Sequence, residues 1–283
     1  MYVPAERNFL SSIENINKVS NLIAGSLQNY SVEFRNAQLS NKGKIIDLPV
    51  TGTKVIYDSR DDQNYLLFGE KKLKLSEGSS GFHSLVPLYW VSKYLSNFVK
   101  QEEKKLIELL STDQTVRRNN ELNELNKLGL DEKTLKSKEK KINAKYVCKY
   151  LVNIVEEPEQ NLFPTSQRLL LNSLIAFNNG SNMLLITTHS PYLINFISIA
   201  VKAYELKDKV KTKQQENRLF EIVPKVSTIN PTELVIYQLD ELEGTIKKLE
   251  NFEGIPSDNN YLNQSIMIGN LEFDKLLDLE EEL

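Results

Sequence analysis

Two short apolar runs with a helical segment between them constrain this chain most. Tyr150-Leu-Val-Asn-Ile-Val155 and Met183-Leu-Leu-Ile-Thr-Thr188 are nearly unbroken in apolar and β-branched residues, the pattern of strands buried in a parallel sheet. Between them Ser166–Asn178 has helical spacing, opened by Pro164 and closed by Asn178-Asn-Gly180. Strand, helix and strand in this order make a βαβ unit, so the fold class is α/β with a parallel sheet and flanking helices.

The flanks of this unit differ in character. Tyr2-Val-Pro-Ala-Glu6 reads as a short strand end, and Leu10, Ile13, Ile16, Val19, Ile23 and Leu27 recur at helical spacing, which predicts a helix from Asn8 to about Leu27. From Tyr30 to Leu75, short runs such as Lys54-Val-Ile-Tyr57 and Tyr65-Leu-Leu-Phe68 alternate with Gly, Asp and Asn, which predicts a β-hairpin-rich segment. A Ser/Gly cluster at Ser76–Gly81 then leads into an amphipathic helix from Phe82 to Val99. Residues 101–145 carry 9 acidic and 11 basic side chains, so this insert reads as a solvated helical hairpin. After the βαβ unit, Pro191 opens a helix to about Lys207. Arg218–Val223 and Glu233–Leu239 are strand candidates, a loop surrounds Gly254-Ile-Pro256, and the tail is helical and acidic. The expected division is 1–100, a lobe with the β segment; 101–145, the insert; 146–240, the α/β core; and 241–283, the tail.

Composition excludes several classes. One cysteine, Cys148, forms no internal disulfide, and two histidines, His83 and His189, are too few for a Cys/His zinc site. No apolar run reaches the length of a membrane span and the first ten residues lack a signal pattern, so a cytoplasmic protein is expected, with no membrane partner. A net charge of −3 gives no overall attraction to nucleic acid.

Three motifs carry chemistry. Leu151-Val-Asn-Ile-Val-Glu156-Glu157-Pro158-Glu159 is an apolar strand ending in carboxylates, at the end where open α/β sheets hold ligands. Carboxylates there suit a metal-assisted site, the alternative being a solvated strand end. Thr187-Thr-His189-Ser-Pro191 ends the next strand, and a parallel neighbour brings His189 to the same sheet edge, where an imidazole can donate to a phosphate oxygen. Leu75-Ser-Glu-Gly-Ser-Ser-Gly81 feeds a helix N-terminus, which attracts anions; the alternative is plain N-capping by Ser79 or Ser80.

In this order the motifs, with Asn161-Leu-Phe-Pro164 between them and Tyr2–Phe9 before them, resemble the second half of an ABC-type P-loop ATPase core. The resemblance is to compact prokaryotic SMC, RecF and OLD-like proteins of DNA maintenance and anti-phage defence, and covers about residues 1–240. It implies Glu156 as the acid holding the Mg²⁺ shell, Glu157 as the base that activates water, and His189 as the histidine that senses the γ-phosphate of ATP. It places Gln160–Pro164 at a dimer interface and Ser79, Ser80 and Gly81 against the γ-phosphate in trans, with Leu75-Ser-Glu-Gly78 as a second register for that loop. Arg7 either pairs with a carboxylate or reaches a phosphate.

The chain departs from the family in one large respect: it has no Gly-x-x-x-x-Gly-Lys-Ser/Thr phosphate loop, since Gly43-Lys44 is followed by Ile-Ile. A complete ATP site then needs a Walker A-bearing partner lobe, with a homodimer as the working unit. DNA or an effector protein are further partners, Lys133, Lys136, Lys138, Lys140 and Lys141 being the basic cluster for DNA. The alternative to an ATPase module is a non-catalytic ABC-like lobe that binds a protein.

Overall fold

A computed structural model of the chain describes residues 1–13, 25–101, 103–108, 110, 112–147, 149–178, 180–252, 255–256 and 259–282. In chain order the elements are β1 (Tyr2–Val3), α1 (Phe9–Ser12), α2 (Ser26–Ser40), β2 (Ile45–Asp47), β3 (Thr53–Asp58), β4 (Gln63–Phe68), β5 (Lys71–Lys74) and α3 (Ser80–Phe98). Then come α4 (Glu103–Glu108), α5 (Thr112–Asn126), α6 (Glu132–Tyr146), β6 (Val152–Glu156), α7 (Pro164–Phe177), β7 (Met183–Thr187), α8 (Pro191–Lys207) and α9 (Lys213–Ile222). The chain ends in β8 (Tyr237–Asp240), β9 (Thr245–Lys248), β10 (Asn251–Phe252), β11 (Ile255–Pro256) and α10 (Tyr261–Glu282). Cys148, Asn179 and Gly254 lie outside the described residues, as does most of the helix expected over 8–27.

The βαβ unit forms as its pattern predicts. β6 pairs in parallel with β7, Val152 opposite Met183 through Glu156 opposite Thr187, while β1 pairs in parallel on the other side, Tyr2 opposite Ile154. The sheet order is therefore β1-β6-β7, flanked by helices.

Alternation along these strands divides the sheet into two unlike faces. Val3, Asn153 and Val155 are buried, and Leu184 and Ile186 pack beside them against a core that includes Trp90, Leu85 and Leu170. On the opposite face Tyr2, Met183 and Leu185 are exposed, at 36%, 59% and 46%. The expectation that both strands are buried is thus corrected for β7: it is an edge strand, and its second face has no helix over it among the described residues.

Three other expectations change. The helix begun at Phe9 ends at Ser12, because Ile13 is extended at φ −99 and ψ 128. Residues 30–40, expected at the start of the β-rich segment, belong to α2, because Tyr30, Phe34 and Ala37 recur every three to four residues and are all buried. The Phe34 ring meets Trp90 of α3 edge-on, centroids 6.2 Å apart. Residues 218–222 are helical rather than a strand: Thr212 and Gln215 form a reciprocal capping box that starts α9, and Leu219 is its buried residue.

The hairpin-rich segment itself is a four-stranded antiparallel meander, β2-β3-β4-β5. Arg35 of α2 ties it down, with its Nη1 donating to Asp62 Oδ1 at 2.5 Å and to the Tyr57 hydroxyl at 2.8 Å. The insert is the expected solvated hairpin. Asp131 caps α6 by accepting from the Thr134 amide at 3.0 Å, and Lys145 reaches across to Glu121 at 2.5 Å. Leu125 is buried in α5, while α6 buries nothing, so the hairpin stands off the core. Among the described residues no helix is long and apolar enough to cross a membrane.

Candidate functional site

The carboxyl edge of the parallel sheet gathers the carboxylates and the histidine. β6 ends at Glu156, and the chain then turns sharply: Glu157 has φ +41, a left-handed conformation that an L residue adopts at a cost of about 1–3 kcal/mol. The Glu157 amide still donates to Thr187 O at 2.9 Å, so the turn begins with the sheet ladder intact. The next turn runs through Pro158–Asn161, and Asn161 also has positive φ, at +59.

Arg7 holds this strained corner from inside. It is fully buried, and its guanidinium donates from Nη1 to Glu156 O at 2.7 Å, from Nη2 to Glu157 O at 2.7 Å, from Nη1 to Pro4 O at 3.2 Å and from Nε to Ser84 O at 3.1 Å. The expectation of a carboxylate ion pair or a phosphate contact is corrected, because every partner is a backbone carbonyl and the side chain has no solvent-facing surface. Burial lowers the Arg7 pKa from its ordinary value, and nearby Glu159, Glu157 and Glu156 act against that shift. The carbonyl clamp leaves the carboxylates themselves directed elsewhere.

Glu156 lies on the bare side of the sheet, half-buried. Its Oε2 accepts from the Ala5 amide at 3.2 Å, and it also accepts from the Tyr2 hydroxyl, which together with burial pushes the Tyr2 pKa up to about 12. Glu157 is 39% exposed at its side chain, and its Oε1 stands 3.9 Å from His189 Nε2, whose ring is 86% exposed. The two side chains thus face open space side by side.

Glu159 is the residue that the sequence reading missed. Its Oε1 accepts from the Thr188 hydroxyl at 2.7 Å and from the His189 amide at 2.8 Å, so it fixes the turn that carries the histidine. Ser190 continues the frame, donating from Oγ to Gln167 Oε1 at 2.8 Å. The signal was present as a third carboxylate two residues after Glu157, in a motif read only for its first two. Glu159 Oε2 is buried without a hydrogen-bond partner, with the Arg7 cation as its nearby countercharge.

The Ser/Gly loop reaches the same corner from the other side. Ser79 is the N-cap residue of α3, and neither it nor Ser80 caps the helix through its side chain; both are exposed. The plain capping alternative is therefore absent. Gly81 touches the turn after β6, since a Cβ there would lie 2.8 Å from Asn161 O. One residue turn further, Ser84 Oγ donates to Gln160 Oε1 at 3.3 Å and accepts from Asn161 Nδ2 at 3.2 Å. Ser84 and Gly81 thus bind the helix start to the carboxylate-bearing corner within one chain. Leu75–Glu77 forms a separate 3₁₀ turn, so it is Ser79-Ser80-Gly81 that stands at the helix start.

Mg²⁺ is held by few protein ligands and completes its octahedron with water and phosphate oxygens. Glu156, with lone pairs beyond those used by Ala5 and Tyr2, suits that donor set. The exposed hydroxyls of Ser79 and Ser80 and the exposed imidazole of His189 are further hydrogen-bonding groups. Compared with protein-family models, with curated proteins and with solved structures, the chain shows no match. What stands is an α/β protein whose parallel sheet carries carboxylates and a histidine at its carboxyl edge.

Proposed function

We propose that this chain is the water-activating part of an ATPase of the ABC type, of the SMC/RecF-like branch, completed by a lobe that brings the phosphate-binding loop. The observation that carries the reading is the pairing of Glu157 and His189 across parallel strands, 3.9 Å apart and open to solvent. The Glu157 carboxylate accepts the proton of an attacking water, and the His189 imidazole donates to a terminal phosphate oxygen. Bound Mg²⁺ supplies neutralising charge at the phosphate oxygens, and Glu156 is the side chain to hold its shell. Glu159 keeps the His189 turn in place, and Arg7 keeps the Glu156–Glu157 backbone in place.

The bare face of the sheet supports the second half of the proposal. Parallel sheets are almost always covered on both faces, and here the face bearing Tyr2, Met183, Leu185 and Glu156 is apolar and open. A completing lobe would seat on that face and bring its phosphate loop beside Glu156.

The test is hydrolysis by this chain together with a polypeptide that carries the phosphate-binding loop. Glu157→Gln is expected to lower turnover by about 10³-fold or more while ATP binding persists, the loss typical of a required catalytic group. Unchanged turnover in that variant would sink the assignment. A second reading, a protein-binding lobe without catalysis, draws on the engagement of Glu156 by Ala5 and Tyr2. It predicts that the same assembly neither binds nor hydrolyses ATP.

A further inference from the structure

The first turn of α10 is held to β8, the Tyr261 amide donating to Gln238 Oε1 at 2.8 Å and its hydroxyl to Asp240 Oδ2 at 2.7 Å. Every residue from Ser265 to Glu282 is exposed, including Ile266 at 52%, Phe273 at 61%, Leu276 at 61% and Leu277 at 45%. At the 100° helical step these four share one stripe of about 100° with Leu262. Asp274 and Glu281 border the stripe on one side and Glu272 on the other, Glu280 falls within it at the C-terminal end, and Lys275 lies on the opposite face. Over Glu272–Glu282 six carboxylates face a single lysine, Lys275. Nucleic-acid phosphates and anionic lipid surfaces repel such a helix, and two α10 helices laid in parallel would bring their carboxylates together. The matching surface must be apolar along its floor and basic along a wall.

The groove between α5 and α6 has that character. It opens to about 430 Å³, with Leu125, Leu128 and Ile142 along its floor, Lys138 and Lys141 on one wall and Glu124 on the other. Leu128 is 61% exposed, and neither Lys138 nor Lys141 has an ion-pair partner among the described residues. Within one copy the groove is open and α10 is exposed from Ser265 to Glu282. We infer that α10 of one copy lies in the α5–α6 groove of a second copy. Phe273, Leu276 and Leu277 cover the leucine and isoleucine floor, and Asp274 and Glu281 face Lys138 and Lys141. Exchanged both ways, this contact closes a dimer. It goes beyond the nucleotide reading and does not rest on it.

Sedimentation velocity on the full chain tests the contact. The wild-type chain is expected to dimerise, more weakly as salt rises. Lys138→Glu with Lys141→Glu, or Asp274→Lys with Glu281→Lys, is expected to weaken dimerisation by about tenfold or more, as opposed charges become like charges. All four changes combined are expected to restore it, which a folding defect could not do. A chain that stays monomeric, lysine reversals that leave association unchanged, or a combined variant that fails to recover would each overturn the inference. So would binding of duplex DNA that the lysine reversals abolish in a monomeric chain, because the groove would then belong to nucleic acid.

Discussion

The two faces of the parallel sheet are built from alternate residues of the same strands and have opposite fates. Val3, Asn153 and Val155 face α3 and α7 and seal the core, whereas Tyr2, Met183 and Leu185 face outward with no helix over them among the described residues. Both sets are mostly apolar, so hydrophobicity does not separate them. Coverage does, and the carboxylate of Glu156 lies on the uncovered side. The comparison teaches where this molecule is finished and where it has surface left to offer.

The largest expected effect tests the covered side at its end. Arg7→Ala would leave carbonyls of Pro4, Ser84, Glu156 and Glu157 without their donor in a buried site, and a loss of about 3–5 kcal/mol is expected in urea unfolding. Arg7→Lys should recover little of it, because an ammonium cannot reproduce the planar fork. A loss below about 1 kcal/mol would mean that the corner stands without its clamp.

Paired truncations test the faces directly. Val155→Ala, on the sealed face, is expected to cost about 2 kcal/mol through lost burial and a residual cavity. Leu185→Ala removes more carbon from the open face yet should cost less than about 1 kcal/mol, since the side chain is already 46% exposed. Equal losses in urea unfolding would break the comparison by showing that something covers the outer face. If the completing lobe seats there, its presence should raise the cost of Leu185→Ala and leave that of Val155→Ala unchanged.

The smallest effect lies away from the sheet. Burial raises the Asp62 pKa, but hydrogen bonds from Tyr57 and Arg35 outweigh it and hold the carboxyl below its ordinary value. Its stabilisation is therefore present above the unfolded carboxylate value and fades as pH falls through the folded one, in the acid range below about pH 4. Asp62→Asn should lose under about 1 kcal/mol at neutral pH and flatten this part of the acid profile, read by unfolding midpoints against pH. An unflattened profile would show that the Arg35–Tyr57–Asp62 cluster does not set the acid sensitivity.

Strand existence was legible because β6 and β7 are apolar over five residues with β-branched members, and α7 was legible because Pro164 and the Asn-Gly end bracket it. Residues 30–40 and 218–222 are helical although their aromatic and β-branched residues resemble strand signals. The helical spacing of Tyr30, Phe34 and Ala37 and the Thr212–Gln215 capping box were stronger local evidence. Glu156, Glu157 and His189 could be placed at one edge from motif order and parallel pairing. Glu159 and Arg7 could not, because their roles depend on distances across the fold: Arg7 is 149 residues from Glu156 in the chain.

By itself the sequence determined the βαβ unit, the solvated hairpin and the meeting of carboxylates with a histidine, because period, caps and strand ends are local properties. Only the tertiary structure decided that one sheet face is sealed and the other open, and that a buried arginine holds the carboxylate corner by its carbonyls. It alone decided too that α10 is exposed from Ser265 to Glu282. Apolar residues look the same in a sequence whether or not a neighbour arrives to cover them, and that arrival depends on packing between distant segments.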